Sequence, residues 1–167
     1  MNEQPRESAP KKGEVWNEPP KKCGKNVNTI KILNAVNENA LMSREATETI
    51  LKFVDNMDFG DVLRGQVMKY DDFCRKAKMQ ANNLGCVLEP NNKMARNMTR
   101  MSLKMKLMMD SSVGKVAEII LLGTTGNIID LGKLIRHTPD VNKDALALAK
   151  ELLLFEEDKV ELMKYHL

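Results

Sequence analysis

Val116-Ala117-Glu118-Ile119-Ile120-Leu121-Leu122-Gly123-Thr124-Thr125-Gly126-Asn127-Ile128-Ile129-Asp130-Leu131 is the most apolar stretch of the chain, and its reading decides the fold. Val113, Ala117, Leu121, Thr124, Ile128, Leu131 and Ile135 follow the three-then-four spacing of one helix face, and Val116, Ile119 and Ile120 widen that face. A helix apolar on most sides belongs in the middle of a bundle. The competing reading pairs Ile119 to Leu122 with Ile128 to Asp130 as a hairpin across Gly123-Thr124-Thr125-Gly126-Asn127. Neither arm alternates, and no other strand pair exists to complete a sheet. A phosphate loop fits no better, since Gly-Thr-Thr-Gly lacks the following Lys-Ser or Lys-Thr and a preceding strand. As a helix, the segment bears Gly123, Gly126 and Gly132 at about 1 kcal/mol each relative to Ala. Close approach of a neighbouring helix is the expected compensation.

The segments on either side extend the same pattern. In the first helix, expected from Asn28 to about Asp55, the apolar face passes through Asn37, Arg44 and Thr47. Arg44 therefore reaches an acidic neighbour, or the helix turns to bury Val36, Ala40, Ser43, Thr47 and Ile50; the second arrangement is the simpler. A break at Asn56 to Phe59 leads to a second helix with Val62, Gln66, Tyr70, Phe73, Ala77, Ala81 and Leu84 on one side, stopped by Gly85. Met94, Met98, Met101, Met105 and Met108 then recur at helical spacing, with Lys93, Arg96, Arg100 and Lys104 on another flank and no acid from Pro90 to Met109. The methionines read first as the packed seam of a bundle helix with a solvated basic side. As an alternative they form a face for an acidic partner or an anionic membrane surface.

An unbroken helix from Asn92 to Arg136 would be roughly 70 Å long at about 1.5 Å per residue, far longer than its partners, so a break is expected near Ser111. Asp110-Ser111-Ser112 supplies cap residues there, and His137-Thr138-Pro139 ends the central helix. Asp140 or Asn142 caps the last helix, whose inner stripe is Ala145, Ala149, Leu152, Val160, Met163 and Leu167. Glu156 falls within that stripe, where an acid must pair, bind a metal or turn outward.

Composition bounds the rest. A chain of 167 residues with 43% apolar content builds one domain with a real core, filled by aliphatic and thioether groups because aromatics are only 4%. A net charge of +3 does not by itself argue for nucleic acid. Cys23, Cys74 and Cys86 have no framework spacing and read as reduced thiols of a cytoplasmic protein. The proline- and lysine-rich residues 1–26 read as a disordered basic arm, without a signal peptide, ahead of a helical domain over 27–167.

Asn39-Ala40-Leu41-Met42, Ala117-Glu118 through Gly123-Thr124, Ile128-Ile129-Asp130-Leu131 and Leu154-Phe155-Glu156-Glu157 together resemble a bacterial, ferritin-like helical-bundle family of unknown function. The resemblance covers Asn28 to the C-terminus. It implies an all-α fold, an antiparallel four-helix bundle with an extra helix or kink near Ser111. True ferritin-like bundles hold two iron or manganese ions on inward carboxylates and Glu-x-x-His motifs. Here Leu121 follows Glu118 and Lys159 follows Glu156 at the position where histidine would stand, and His137 and His166 fall near helix ends. No ligand carries over, and no cofactor is expected. An all-oxygen Fe or Mn site on Glu118, Glu156 and Tyr70 is the alternative, against pairing of the two acids with Arg44, Lys115 or Lys159, or their exposure to solvent.

No nucleophile motif is present, so the leading expectation is a non-enzymatic structural or interaction module that forms a homo-oligomer or binds a protein. The alternatives are a metal-binding or oxidoreductase bundle, and a binder of an anionic partner through Lys93, Arg96, Arg100 and Lys104. Nucleic acid is not the expected partner. No segment is expected to be integral to a membrane, because Glu118 and Asp130 interrupt the central stretch.

Overall fold

A computed structural model of the chain describes residues 26–88 and 93–167, with side chains in the third helix described from Arg96 onward. The expected basic arm, apart from Asn26, lies outside the described residues, as do the side chains of Lys93 and Met94. Five helices make up the fold: α1 (Val27–Leu51), α2 (Met57–Asn83), α3 (Lys93–Met109), α4 (Val113–His137) and α5 (Lys143–Tyr165). There is no strand among the described residues, and both arms of the alternative hairpin lie within α4.

Local chemistry accounts for the helix ends. The Asn56 side chain accepts from the Phe59 N–H at 2.9 Å and starts α2. Gly85 adopts φ +71°, a left-handed turn open to glycine, and lets the Cys86 N–H reach the Ala81 carbonyl at 2.9 Å. Between α3 and α4 the Asp110 carboxylate accepts from the Ser112 N–H at 2.9 Å, which also holds its pKa below the usual carboxylate value. Ser112 in turn caps α4 at the Lys115 N–H. The expected break near Ser111 is thus a turn between two separate helices. Asn142 caps α5 by accepting from the Asp144 N–H at 2.8 Å.

The central helix is α1. It packs against α2, α3, α4 and α5, whereas α3 has α1 as its main neighbour. This corrects the placement of the 116–131 stretch at the middle of the bundle: α4 leaves Leu122 63% and Ile129 48% exposed. Burial follows the number of neighbours rather than the hydropathy of one helix. The small and polar residues Asn37, Ser43 and Thr47 of α1 are all buried and leave room for four partners. Gly123, Gly126 and Gly132 of α4 do not mark a close helix contact either. A Cβ placed on Gly123, Gly126 or Gly132 would meet nothing within 4 Å.

The rotation expected of α1 is present: Val36, Ala40, Ser43, Thr47 and Ile50 are all buried. Arg44 then reaches its acid as well, with Nη1 2.6 Å from Asp71 of α2. The inner stripe of α5 is buried at Ala145, Ala149, Leu152 and Met163, while Leu167 at its end is exposed. Buried apolar residues form two groups, one around Leu33, Val36, Phe73, Ala77 and Leu152, the other around Ile50, Leu63, Leu107, Val116 and Met163. Between them along α1, α2 and α5 lie Ser43, Gln66, Glu156 and Lys159, all buried polar residues. Cys74 is a buried free thiol, but Cys86 is disulfide-bonded, which corrects the reading of three reduced thiols and removes its support for a cytoplasmic setting. Among the described residues no helix is long and apolar enough to cross a membrane.

Candidate functional site

The polar layer is built from one or two residues of each of four helices. Tyr70 on α2 donates its hydroxyl hydrogen to Glu156 Oε1 on α5 at 3.0 Å. Lys159, one turn further along α5, places Nζ 2.8 Å from Glu156 Oε2 and donates a short hydrogen bond to the Tyr70 hydroxyl. Asn127 on α4 donates to Ser43 Oγ on α1 at 3.0 Å, and Ser43 in turn acts on the Tyr70 phenol, lowering its pKa. Glu156 is fully buried and Lys159 is 5% exposed.

Burial governs the titration of Tyr70 and Lys159. It pushes the Tyr70 phenol well above its ordinary value, helped by the negative charge and hydrogen bond of Glu156. It pulls the Lys159 ammonium down, opposed by the attraction of Glu156. The Lys159 Nζ also lies 4.9 Å from the Tyr70 ring centroid, and Phe155 meets that ring edge-on at 5.3 Å. The result is a buried array of hydrogen-bond donors around a carboxylate.

Lys159 also forms part of the wall of a cleft of about 270 Å³. Ser43, Ala46, Thr47 and Ile50 of α1 line it, with Thr99 and Leu103 of α3 on one side and Ile119, Ile120, Gly123 and Thr124 of α4 on the other. The cleft exists because α3 docks on α1 and leaves a gap to α4.

Of the three candidate oxygen ligands, the fold brings together only Tyr70 and Glu156. Glu118 is exposed on α4, where its carboxylate pairs with Lys115 at 2.8 Å. The Lys159 ammonium sits against both Tyr70 and Glu156, where a metal ion would have to stand. These residues therefore do not fit an Fe or Mn centre. Among the described residues no three His, Cys, Asp or Glu side chains are grouped as metal ligands. His166 stacks on Phe59 at 4.8 Å and His137 is exposed at the end of α4.

The basic flank of α3 divides. Arg96, 6% exposed, turns inward to Glu38 at 3.5 Å and Glu45 at 3.4 Å on α1, and Arg100 reaches Glu45 at 3.3 Å. These two arginines fasten α3 to its neighbour, and Lys104 is exposed. The methionines are the reverse of the packed seam that was expected. Leu103 and Leu107 face inward with Arg96, while Met98, Met101, Met105 and Met108 point outward. The expected pairing of the two acids is present, Glu118 with Lys115 and Glu156 with Lys159, whereas Ser43 and Asn127 were not marked as site residues by the sequence.

No family model matches the chain, and neither does any curated protein or solved structure.

Proposed function

We propose that the chain is a non-catalytic structural module, an antiparallel helical bundle of ferritin-like type, which assembles with further copies of itself through the outer face of α3. The observation that carries this reading is the row Met98, Met101, Met105 and Met108, each between 65% and 78% exposed on the side of α3 opposite Leu103 and Leu107. A contiguous apolar row in water marks a surface that is covered in use. Thioether chains adapt to many partner shapes.

Charge points to the occupant. Lys104 and Lys106 are exposed on α3, and no acid accompanies them. The outer face of α5 has the opposite character at Glu157 and Asp158: Leu154, Leu162 and Tyr165 are exposed beside them, while Glu161 is paired with Lys164 at 2.6 Å. The α3 face of one copy therefore matches the α5 face of the next in both sign and apolar content. Two different patches meet in such a contact, so the assembly is head-to-tail. Support for the antiparallel arrangement comes from the pairs Asn37 with Cys74 and Arg44 with Asp71, which advance in opposite directions along α1 and α2.

Sedimentation equilibrium of the full chain tests the reading. Self-association is expected at low ionic strength, weakening with salt. Met101→Lys with Met105→Lys should abolish it, as should Glu157→Lys with Asp158→Lys. Mixing the second variant with Lys104→Glu, Lys106→Glu protein should restore association. A chain that stays monomeric up to about millimolar concentration, or sediments with anionic vesicles but not with itself, would overturn the proposal.

A further inference from the structure

The α3–α4 cleft and the lysine in its wall have no part in self-association through the outer faces of α3 and α5. Lys159 has three N–H donors. The Tyr70 hydroxyl accepts from one of them, and Glu156 Oε2 lies 2.8 Å from Nζ as its counter-ion. No further hydrogen-bond acceptor for Nζ is present among the described residues, although the side chain is 5% exposed and borders the cleft. A buried charged donor without a partner carries a desolvation penalty that a bound acceptor removes.

We infer that the cleft between α3 and α4 binds a small, uncharged, largely apolar molecule through a carbonyl oxygen that accepts the free N–H of Lys159. The requirement for an uncharged ligand follows from Glu156. That carboxylate already balances the ammonium at 2.8 Å, so an anionic head would place a second negative charge beside it in a poorly solvated site. A cationic head would meet Lys159 itself. An apolar body follows from Met42, Leu103, Ile119 and Ile120, which make up much of the lining. The 270 Å³ volume lies at the small end of ligand sites and suits a short chain or a single ring. Acceptor chemistry follows from the donor, because an ammonium can only give hydrogen bonds.

The probe for this site is 2-octanone, titrated into the full chain and followed by backbone amide shifts in nuclear magnetic resonance. Saturable one-to-one binding is expected, with the largest shifts at Thr47, Gly123 and Thr124. Octanoate at neutral pH should bind about tenfold more weakly because of its charge, a difference of about 1.4 kcal/mol. Ala46→Phe should fill the cleft from the α1 side and abolish binding while leaving Tyr70, Glu156 and Lys159 in place, with circular dichroism confirming the helices. The paired variant Glu156→Gln, Lys159→Met, which keeps no buried charge, should lose about tenfold in affinity for 2-octanone. Absence of saturable shifts, equal binding by Ala46→Phe, or octanoate binding as tightly as the ketone would overturn the assignment.

Discussion

Lys159 Nζ and Glu156 Oε2 lie 2.8 Å apart, one helical turn from each other on α5, with the lysine 5% exposed and the glutamate fully buried. A pair taken this far out of water is held by its partners more than by Coulomb attraction alone. Removing one member leaves the other charge buried and unmatched. Glu156→Ala should therefore lower the unfolding free energy by about 3–5 kcal/mol. The double variant Glu156→Gln, Lys159→Met should cost far less than the sum of its single changes. Urea denaturation of five proteins, the wild type, Glu156→Ala, Glu156→Gln, Lys159→Met and the double variant, checks both statements, and additive losses in the cycle would count against a coupled pair.

The glycines provide a contrast of sign. Gly126 and Gly132 sit in α4 where an added methyl group meets nothing, so Gly126→Ala and Gly132→Ala should each stabilise the chain by about 0.5–1 kcal/mol. Gly85 also has open space around it, yet its φ of +71° strains any side chain. Gly85→Ala should destabilise by about 1 kcal/mol. Thermal melts of the three variants separate free volume from backbone conformation.

Arg96 gives α3 its anchorage. With Glu38 and Glu45 it forms the charged contact between α3 and α1. Arg96→Met should release α3 while the rest of the bundle persists. A loss of about 3 kcal/mol in local stability corresponds to roughly hundredfold faster amide exchange across α3. Unchanged exchange in residues 96–109 would show that Leu103, Leu107 and the Arg100–Glu45 pair hold the helix without Arg96.

The Cys74 thiol links stability to alkaline pH. Burial raises its pKa above the ordinary value of about 9, so the folded chain keeps this proton after the unfolded chain has lost it. Its contribution is complete below pH 9 and declines as pH rises towards the folded value. Lys159, whose pKa is lowered, acts with the opposite sign. The difference between wild type and Cys74→Ala therefore isolates the thiol: the stability gap between them should narrow in favour of the variant above pH 9. Urea midpoints at pH 8, 9 and 10 measure it.

Much of the fold was legible because local chemistry sets helix ends. Asn56, Gly85, Ser112 and Asn142 act as their residue types predict, and the burial of Ser43 and Thr47 follows from helical period. The faces of α3 and α4 were not legible, since periodicity identifies an apolar stripe but not its side of the molecule. On α3 two apolar stripes compete, and Leu103 and Leu107 face the core because Glu38 and Glu45 on α1 receive the Arg96 beside them. That pairing spans more than fifty positions of chain and is invisible to a local window. In the polar layer Tyr70 and Glu156 stood out as oxygen donors. The role of Lys159 depended on its rotation into the core, and that of Asn127 on the placement of α4 beside α1.

The polar layer also bears on how the helices find one alignment. Leu, Ile, Val and Ala stripes repeat nearly every turn, so a helix slid by one turn would still bury a comparable apolar surface. Ser43, Tyr70, Asn127, Glu156 and Lys159 do not repeat. A one-turn slip of α2 against α5 would strand an ammonium and a carboxylate without the phenol between them, at a cost several times that of a displaced methyl group. The layer thus serves as an index mark, selecting a single register from a set that hydrophobic packing alone would leave close in energy.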